Sequence, residues 1–139
     1  MSSGWLLDTN IVFELRKQDQ MNLGLREWFT GIEEEDIYLS VVTLGEIRKV
    51  LENLRKEDTI QSIVFERWLE TLQQTFWERL LWIDPDISNE WGKLQAMRSL
   101  PPQQGYLAAT ALRQDLTLVT KEVGVYQGLG IEVLNPFSE

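Results

Sequence analysis

A chain of 139 residues with 43% apolar residues, six tryptophans and five phenylalanines carries enough material for one domain with a substantial core, and composition excludes disorder as its default state. A formal net charge of -9 argues against broad coating of nucleic acid, which needs Lys and Arg to neutralise phosphate, but leaves room for a local basic groove or a metal bridging acidic residues to phosphate. With no cysteine and no histidine, thiol chemistry, disulfides, imidazole bases and the usual zinc sites are excluded. Any hydrolysis has to run on carboxylates, hydroxyls, lysine or a hard metal.

Leu6-Leu7-Asp8-Thr9-Asn10 continues an apolar run begun at Trp5 and passes at once into the helical pattern Ile11, Val12, Leu15. The stretch predicts a short buried strand that stops on an aspartate. In a parallel sheet the carboxyl end of such a strand opens onto the crevice where these folds place ligands, which sets Asp8 at a functional rim. The competing structural reading is that Asp8 or Asn10 caps the following helix.

Leu23, Trp28 and Phe29 predict a second short helix closed near Gly31, and Glu33-Glu34-Glu35-Asp36 a solvated loop. Ile37-Tyr38-Leu39-Ser40-Val41 is β-branched and aromatic and predicts the second strand. The next helix opens Thr43-Leu44-Gly45-Glu46, the capping-box spacing, with Leu44, Ile47, Leu51 and Leu54 as its buried face. Glu46 therefore has both a capping role and, if the helix starts at the rim of Asp8, a functional one.

Thr59 to Arg79 reads as one long helix, and its wide apolar stripe suggests a partner contact through Trp68, Phe76 or Trp77. Leu80-Leu81-Trp82-Ile83 predicts a third strand, and Asp84-Pro85-Asp86 a turn capping a helix through Ile87, Trp91, Leu94 and Met97. After Gln103-Gln104-Gly105 comes the small-residue helix Tyr106 to Leu112, able to lie close on a sheet. Thr117-Leu118-Val119-Thr120 predicts a fourth strand leading to Lys121-Glu122. Past Gly128-Leu129-Gly130, Ile131 to Leu134 predicts a last short strand ended by Asn135-Pro136.

No repeat, low-complexity tract or linker divides the chain, so residues 1–139 are expected to form a single domain. Strands alternating with helices predict an α/β fold in three layers, with a central, mainly parallel sheet of four to five strands. No apolar run reaches the length of a membrane span and the start of the chain has no signal pattern, so the expected location is cytoplasmic.

Asp8 and Glu122 each follow a strand, and Glu46 lies in the first turn of a helix after another. A parallel sheet puts all three on one edge. Carboxylates about 4 Å apart repel by roughly 4 kcal/mol at an effective dielectric near 20, so such a set calls for a cation or raised pKa values. A hard divalent ion is the natural counterpart in a chain without histidine.

Leu6 to Asn10, Leu39 to Ile47, Ala108-Ala109-Thr110-Ala111, Leu116 to Thr120 and Gly128-Leu129-Gly130 before Asn135-Pro136, in that order, resemble the PIN-domain ribonucleases, in particular the VapC toxins of toxin–antitoxin systems. The resemblance implies Mg²⁺- or Mn²⁺-dependent endoribonuclease activity on RNA of the tRNA or rRNA class. It also implies a homodimer and a VapB-like antitoxin that holds the protein inactive. Asp8, Glu46 and Glu122 match acidic, metal-ligating positions, and Asn10 and Thr120 match polar supporting ones.

The third acidic position is taken by Gln104, which brings no charge and cannot act as a base. A catalytically inactive PIN domain that binds antitoxin, a twin subunit or RNA is therefore the alternative function. Arg16, Arg48 and Lys121 are candidate phosphate contacts. An unrelated nucleotide binder is disfavoured because neither GxGxxG nor GxxxxGK[ST] occurs between a strand and a helix.

Overall fold

The computed structural model describes residues 4–139. Its five strands are Trp5–Leu7 (β1), Ile37–Ser40 (β2), Leu80–Leu81 (β3), Thr117–Val119 (β4) and Val133–Leu134 (β5). They pair in parallel in the order β3-β2-β1-β4-β5, with Leu6 in register with Tyr38 on one side and Leu118 on the other. Parallel neighbours need crossover connections, and helices supply them: Thr9–Leu15 (α1), Leu23–Thr30 (α2), Val41–Glu57 (α3), Thr59–Thr75 (α4), Pro85–Met97 (α5), Pro102–Gln114 (α6) and Val123–Tyr126 (α7).

Side chains alternate across a strand, so each strand feeds two cores. Leu7, Val119, Ile37 and Leu39 pack with Ile11, Val12, Leu25, Ile47, Leu51, Phe65 and Leu69 from α1 to α4. Leu6 and Leu118 pack on the opposite face with Ile87, Leu94, Leu107, Ala108, Ala111 and Tyr126 from α5, α6 and α7. This is the three-layer α/β/α arrangement expected from the sequence.

From β1 the chain steps outward through β2 to β3, then returns to the other side of β1 for β4 and β5. The order therefore reverses between β1 and β4. Crossover helices diverge to opposite faces at such a point and leave a crevice at the carboxyl ends of the two strands.

Several expected boundaries move. Strand β2 ends at Ser40, whose hydroxyl accepts from the Val42 N–H at 3.0 Å and caps α3. The Thr43–Glu46 capping box is thus not formed: Thr43 is already the third residue of the helix and is fully buried. The helix expected over Thr59 to Arg79 stops at Thr75, with Phe76 as its C-cap and a 3₁₀ turn over Trp77–Arg79. Phe76 is buried at this break, and the Arg79 guanidinium lies over its ring at 4.5 Å.

Strands β3 and β5 are each two residues shorter than expected, with Trp82, Ile83, Ile131 and Glu132 outside the strands, although the Glu132 carbonyl still accepts from the Leu118 N–H at 2.9 Å. The acidic stretch winds into a 3₁₀ turn over Glu34–Asp36. Helix α6 begins at Pro102, a residue suited to the first turn because no intrahelical donor is lost there. Gln103 and Gln104 are therefore helical. Asp84 caps α5, accepting from the Ile87 N–H at 2.8 Å, in its expected role.

Candidate active site at the β1/β4 crevice

Asp8 is the first residue beyond β1. Its backbone N–H still bonds the Val119 carbonyl at 2.9 Å, which fixes it against β4, and its Oδ1 accepts from the Thr9 N–H at 2.7 Å, which caps α1. The cap and the rim position are thus properties of one residue. Oδ2 accepts from Thr120 Oγ1 at 2.8 Å and from the Tyr126 hydroxyl at 3.0 Å. Asp8 is 4% exposed, and three donors are what make so buried a carboxylate tolerable.

Thr120, just past β4, is a hub. Its hydroxyl donates to Asp8 and accepts from Asn10 Nδ2 at 3.4 Å and from the Glu122 N–H at 3.0 Å. One hydroxyl has one donor and two lone pairs, so Thr120 is saturated. The Asn10 carbonyl accepts from the Lys121 N–H at 3.1 Å, tying α1 to the segment after β4 a second time.

Tyr126 completes the arrangement from α7. Burial, reinforced by the negative charge of Asp8, by the hydrogen bond to it and by Glu122, pushes its hydroxyl well above the ordinary tyrosine range. It stays a neutral donor at any working pH.

The opposite wall comes from α3 and α6. Thr43 accepts from Thr9 Oγ1 at 3.2 Å, and one turn later Glu46 lines the cleft. From the first turn of α6, Gln104 Nε2 donates to Glu122 Oε2 at 2.7 Å. Asp8, Glu46, Gln104 and Glu122 line one cleft of about 250 Å³ together with Thr9, Asn10, Phe13 and Gln103.

The basic candidates separate. The Arg16 guanidinium lies 4.7 Å from the Phe65 ring centroid and 5.5 Å from that of Trp68, one turn along α1 from the cleft. Arg48 pairs with Glu52 at 3.4 Å and Glu66 at 3.7 Å, in a network shared with Arg55 between α3 and α4. Lys121 sits between Thr120 and Glu122, with its ammonium 5.1 Å from the Phe137 ring centroid. None of the three lines the cleft, and Lys121 is the one next to its residues in the chain.

Mg²⁺ or Mn²⁺ was the expected cofactor. Lining one cleft is not sharing one ion: among the described residues no group of three acidic side chains stands close enough to hold a metal. Two of the three carboxylates are also already engaged, Asp8 by Thr9, Thr120 and Tyr126 and Glu122 by Gln104. As arranged, the donor set does not fit a three-carboxylate ion centre.

The model of the PIN domain family matches residues 5–126, from β1 through Tyr126. The chain belongs to the PIN-domain family. Among curated relatives of this PIN domain, Toxin FitB of Neisseria gonorrhoeae is 29% identical over 143 residues, spanning 96% of this chain and 99% of the relative. The VapC ribonuclease Y4jK of Sinorhizobium fredii is 26% identical, spanning 95% and 96%. Among solved structures, the crystal structure of FitAcB from Neisseria gonorrhoeae superposes with a TM-score of 0.82 at 27% identity, covering 95% of this chain and 97% of the other.

Sequence reasoning missed Tyr126 and the floor residues Thr9 and Phe13. Tyr126 lies 118 residues from Asp8, in a short helix, α7, that no sequence pattern marked. Thr9 and Phe13 carried a signal: they continue the helical turn that starts at Asp8.

Proposed function

We propose that this PIN domain is the toxin of a toxin–antitoxin pair and that its β1/β4 cleft is an endoribonuclease site directed at RNA of the tRNA or rRNA class, with cleavage slowed by Gln104. The observation that carries the reading is the meeting of Asp8, Glu46, Gln104 and Glu122 in one cleft at the point where the strand order reverses. The relatives named as a toxin and as a VapC ribonuclease support it.

In this reading Asp8, Glu46 and Glu122 are the acidic residues of the site and Asn10 and Thr120 hold them in place. Lys121 meets a backbone phosphate, which offsets the net acidity locally. The carboxylates accept hydrogen bonds from ribose hydroxyls, the groups that separate RNA from DNA.

The partners follow from the same reading: a VapB-like antitoxin, an RNA substrate and a second copy of the chain, all in the cytoplasm. For protein contacts the surface differs from the expected stripe, since Phe76 is buried and Trp68 stacks in a cluster with Phe13 and Phe65. Trp77 remains 67% exposed and is the residue to test. Trp77→Ser is expected to weaken self-association or antitoxin capture in size-exclusion chromatography without loss of fold.

The Gln104–Glu122 hydrogen bond favours a second reading, a PIN domain that binds without cutting. Incubating structured RNA with the wild-type chain in Mg²⁺ or Mn²⁺ separates the two. Slow cleavage that Asp8→Asn abolishes supports the nuclease; RNA or antitoxin binding with no cleavage supports the binding domain.

A further inference from the structure

Two of the cleft's three carboxylates, Asp8 and Glu122, already take hydrogen bonds from neutral donors. A carboxylate offers about four lone-pair sites, and three on Asp8 are taken, by the Thr9 N–H and the Thr120 and Tyr126 hydroxyls. Glu122 takes the Gln104 amide at 2.7 Å, the length of a charge-assisted bond. Tyr126 is fully buried and its ring packs in the α5–α6 core, so its hydroxyl is held on Asp8 by the core itself.

We propose that two neutral donors, the Tyr126 hydroxyl on Asp8 and the Gln104 amide on Glu122, stand where a divalent ion would take its ligands, so that this cleft is built to stand without one. Both are positioning residues: each fixes a carboxylate and occupies one of the lone pairs an ion could use. The inference concerns the protein alone and holds whatever the substrate is.

The test is a titration of Mn²⁺ into the wild-type chain and into the double variant Tyr126→Phe with Gln104→Met, followed by calorimetry and by melting temperature. The variant keeps Asp8, Glu46 and Glu122 and the same formal charge, so any gain comes from freed lone pairs. A merely structural role for the two residues would not raise ion affinity.

The expected result is no saturation of the wild-type chain up to about 1 mM, the weak end of carboxylate sites. The double variant is expected to bind at least about tenfold more tightly, the scale on which residues around metal ligands act, and to melt higher with Mn²⁺ than without. A wild-type chain that saturates like the variant, or a variant as unresponsive as the wild type, overturns the proposal.

Phenylalanine keeps the volume of the buried ring. Should the double variant nevertheless fail to fold, Gln104→Met at the rim decides alone: a measurable gain in Mn²⁺ affinity supports the proposal and an unchanged affinity overturns it. Absence of RNA cleavage by every variant would end the nuclease reading and leave this titration standing.

Discussion

The Tyr126 hydroxyl and the Asp8 carboxylate, 118 residues apart in the chain, meet at 3.0 Å in the buried wall of the β1/β4 crevice. The contact joins the end of the central strand to α7, and Thr120 closes it into a three-residue unit. Asp8 is thereby a structural keystone of the crevice as well as its candidate acid.

Tyr126→Phe removes one donor from a carboxylate that keeps two others. It is expected to cost about 1.5–2 kcal/mol of stability at neutral pH, the lower part of the range for hydrogen bonds to charged groups. Thr120→Val should cost more, because Asp8, Asn10 and Glu122 each lose a partner. Urea unfolding of the two variants checks the order.

The same substitution gives a pH signature. The hydroxyl of folded Tyr126 is pushed up by burial and by Asp8, so the folded chain keeps a proton that the unfolded chain loses near pH 10. Below that pH both states are protonated and the full contribution is present. Above it the unfolded state binds fewer protons, so stability falls by up to about 1.4 kcal/mol per pH unit. The gap between wild type and Tyr126→Phe should narrow as pH rises from 9 to about 11; a constant or widening gap contradicts the assignment.

Gly105 sets how closely α6 approaches α5. A Cβ there would meet Gln95 Nε2 at 2.7 Å and Trp91 Nε1 at 2.9 Å. Neither can swing aside freely, since Gln95 bonds both the N–H and the carbonyl of Leu100 and Trp91 donates to the Pro102 carbonyl. Gly105→Ala should therefore cost about 1–3 kcal/mol in thermal unfolding, as overpacking does, and displace the neighbouring Gln104.

Two basic residues that looked alike in sequence should behave differently. Arg16→Ala is expected to lower stability by about 1 kcal/mol through lost contact with Phe65 and Trp68, at unchanged RNA affinity. Lys121→Ala should weaken RNA binding and reduce its salt slope by about one, at nearly unchanged stability. Melting curves paired with salt-dependent RNA titrations distinguish the patterns, and a loss of both properties in Lys121→Ala would make that residue structural.

Most of the architecture was legible because it depends on local patterns. Apolar runs of strand length alternate with helical spacings, and parallel pairing follows from the crossovers. The misplacements occurred where two local signals competed. Ser40 and Thr43 are both cap formers, and the cap went to the one at the end of the strand, leaving Thr43 to be buried against Thr9. The helical spacing through Phe76 gave no sign of the break at Thr75, because no Gly or Pro marks it and Phe76 stays buried across it.

At the site, Asp8, Glu46 and Glu122 could be named because strand ends share an edge. That Gln104 and Tyr126 engage two of them is set by the spacing of α6 and α7 against the sheet, which no local pattern encodes.

The central claim is that this crevice acts on RNA through Asp8 and is slowed by the residue at 104. It is tested most directly by cleavage of end-labelled structured RNA in Mn²⁺ by the wild-type chain, Gln104→Asp, and Gln104→Asp combined with Asp8→Asn. Faster cleavage by Gln104→Asp than by wild type, lost when Asp8→Asn is added, is the predicted result. Cleavage that Gln104→Asp leaves unchanged, or that survives Asp8→Asn, would contradict the account.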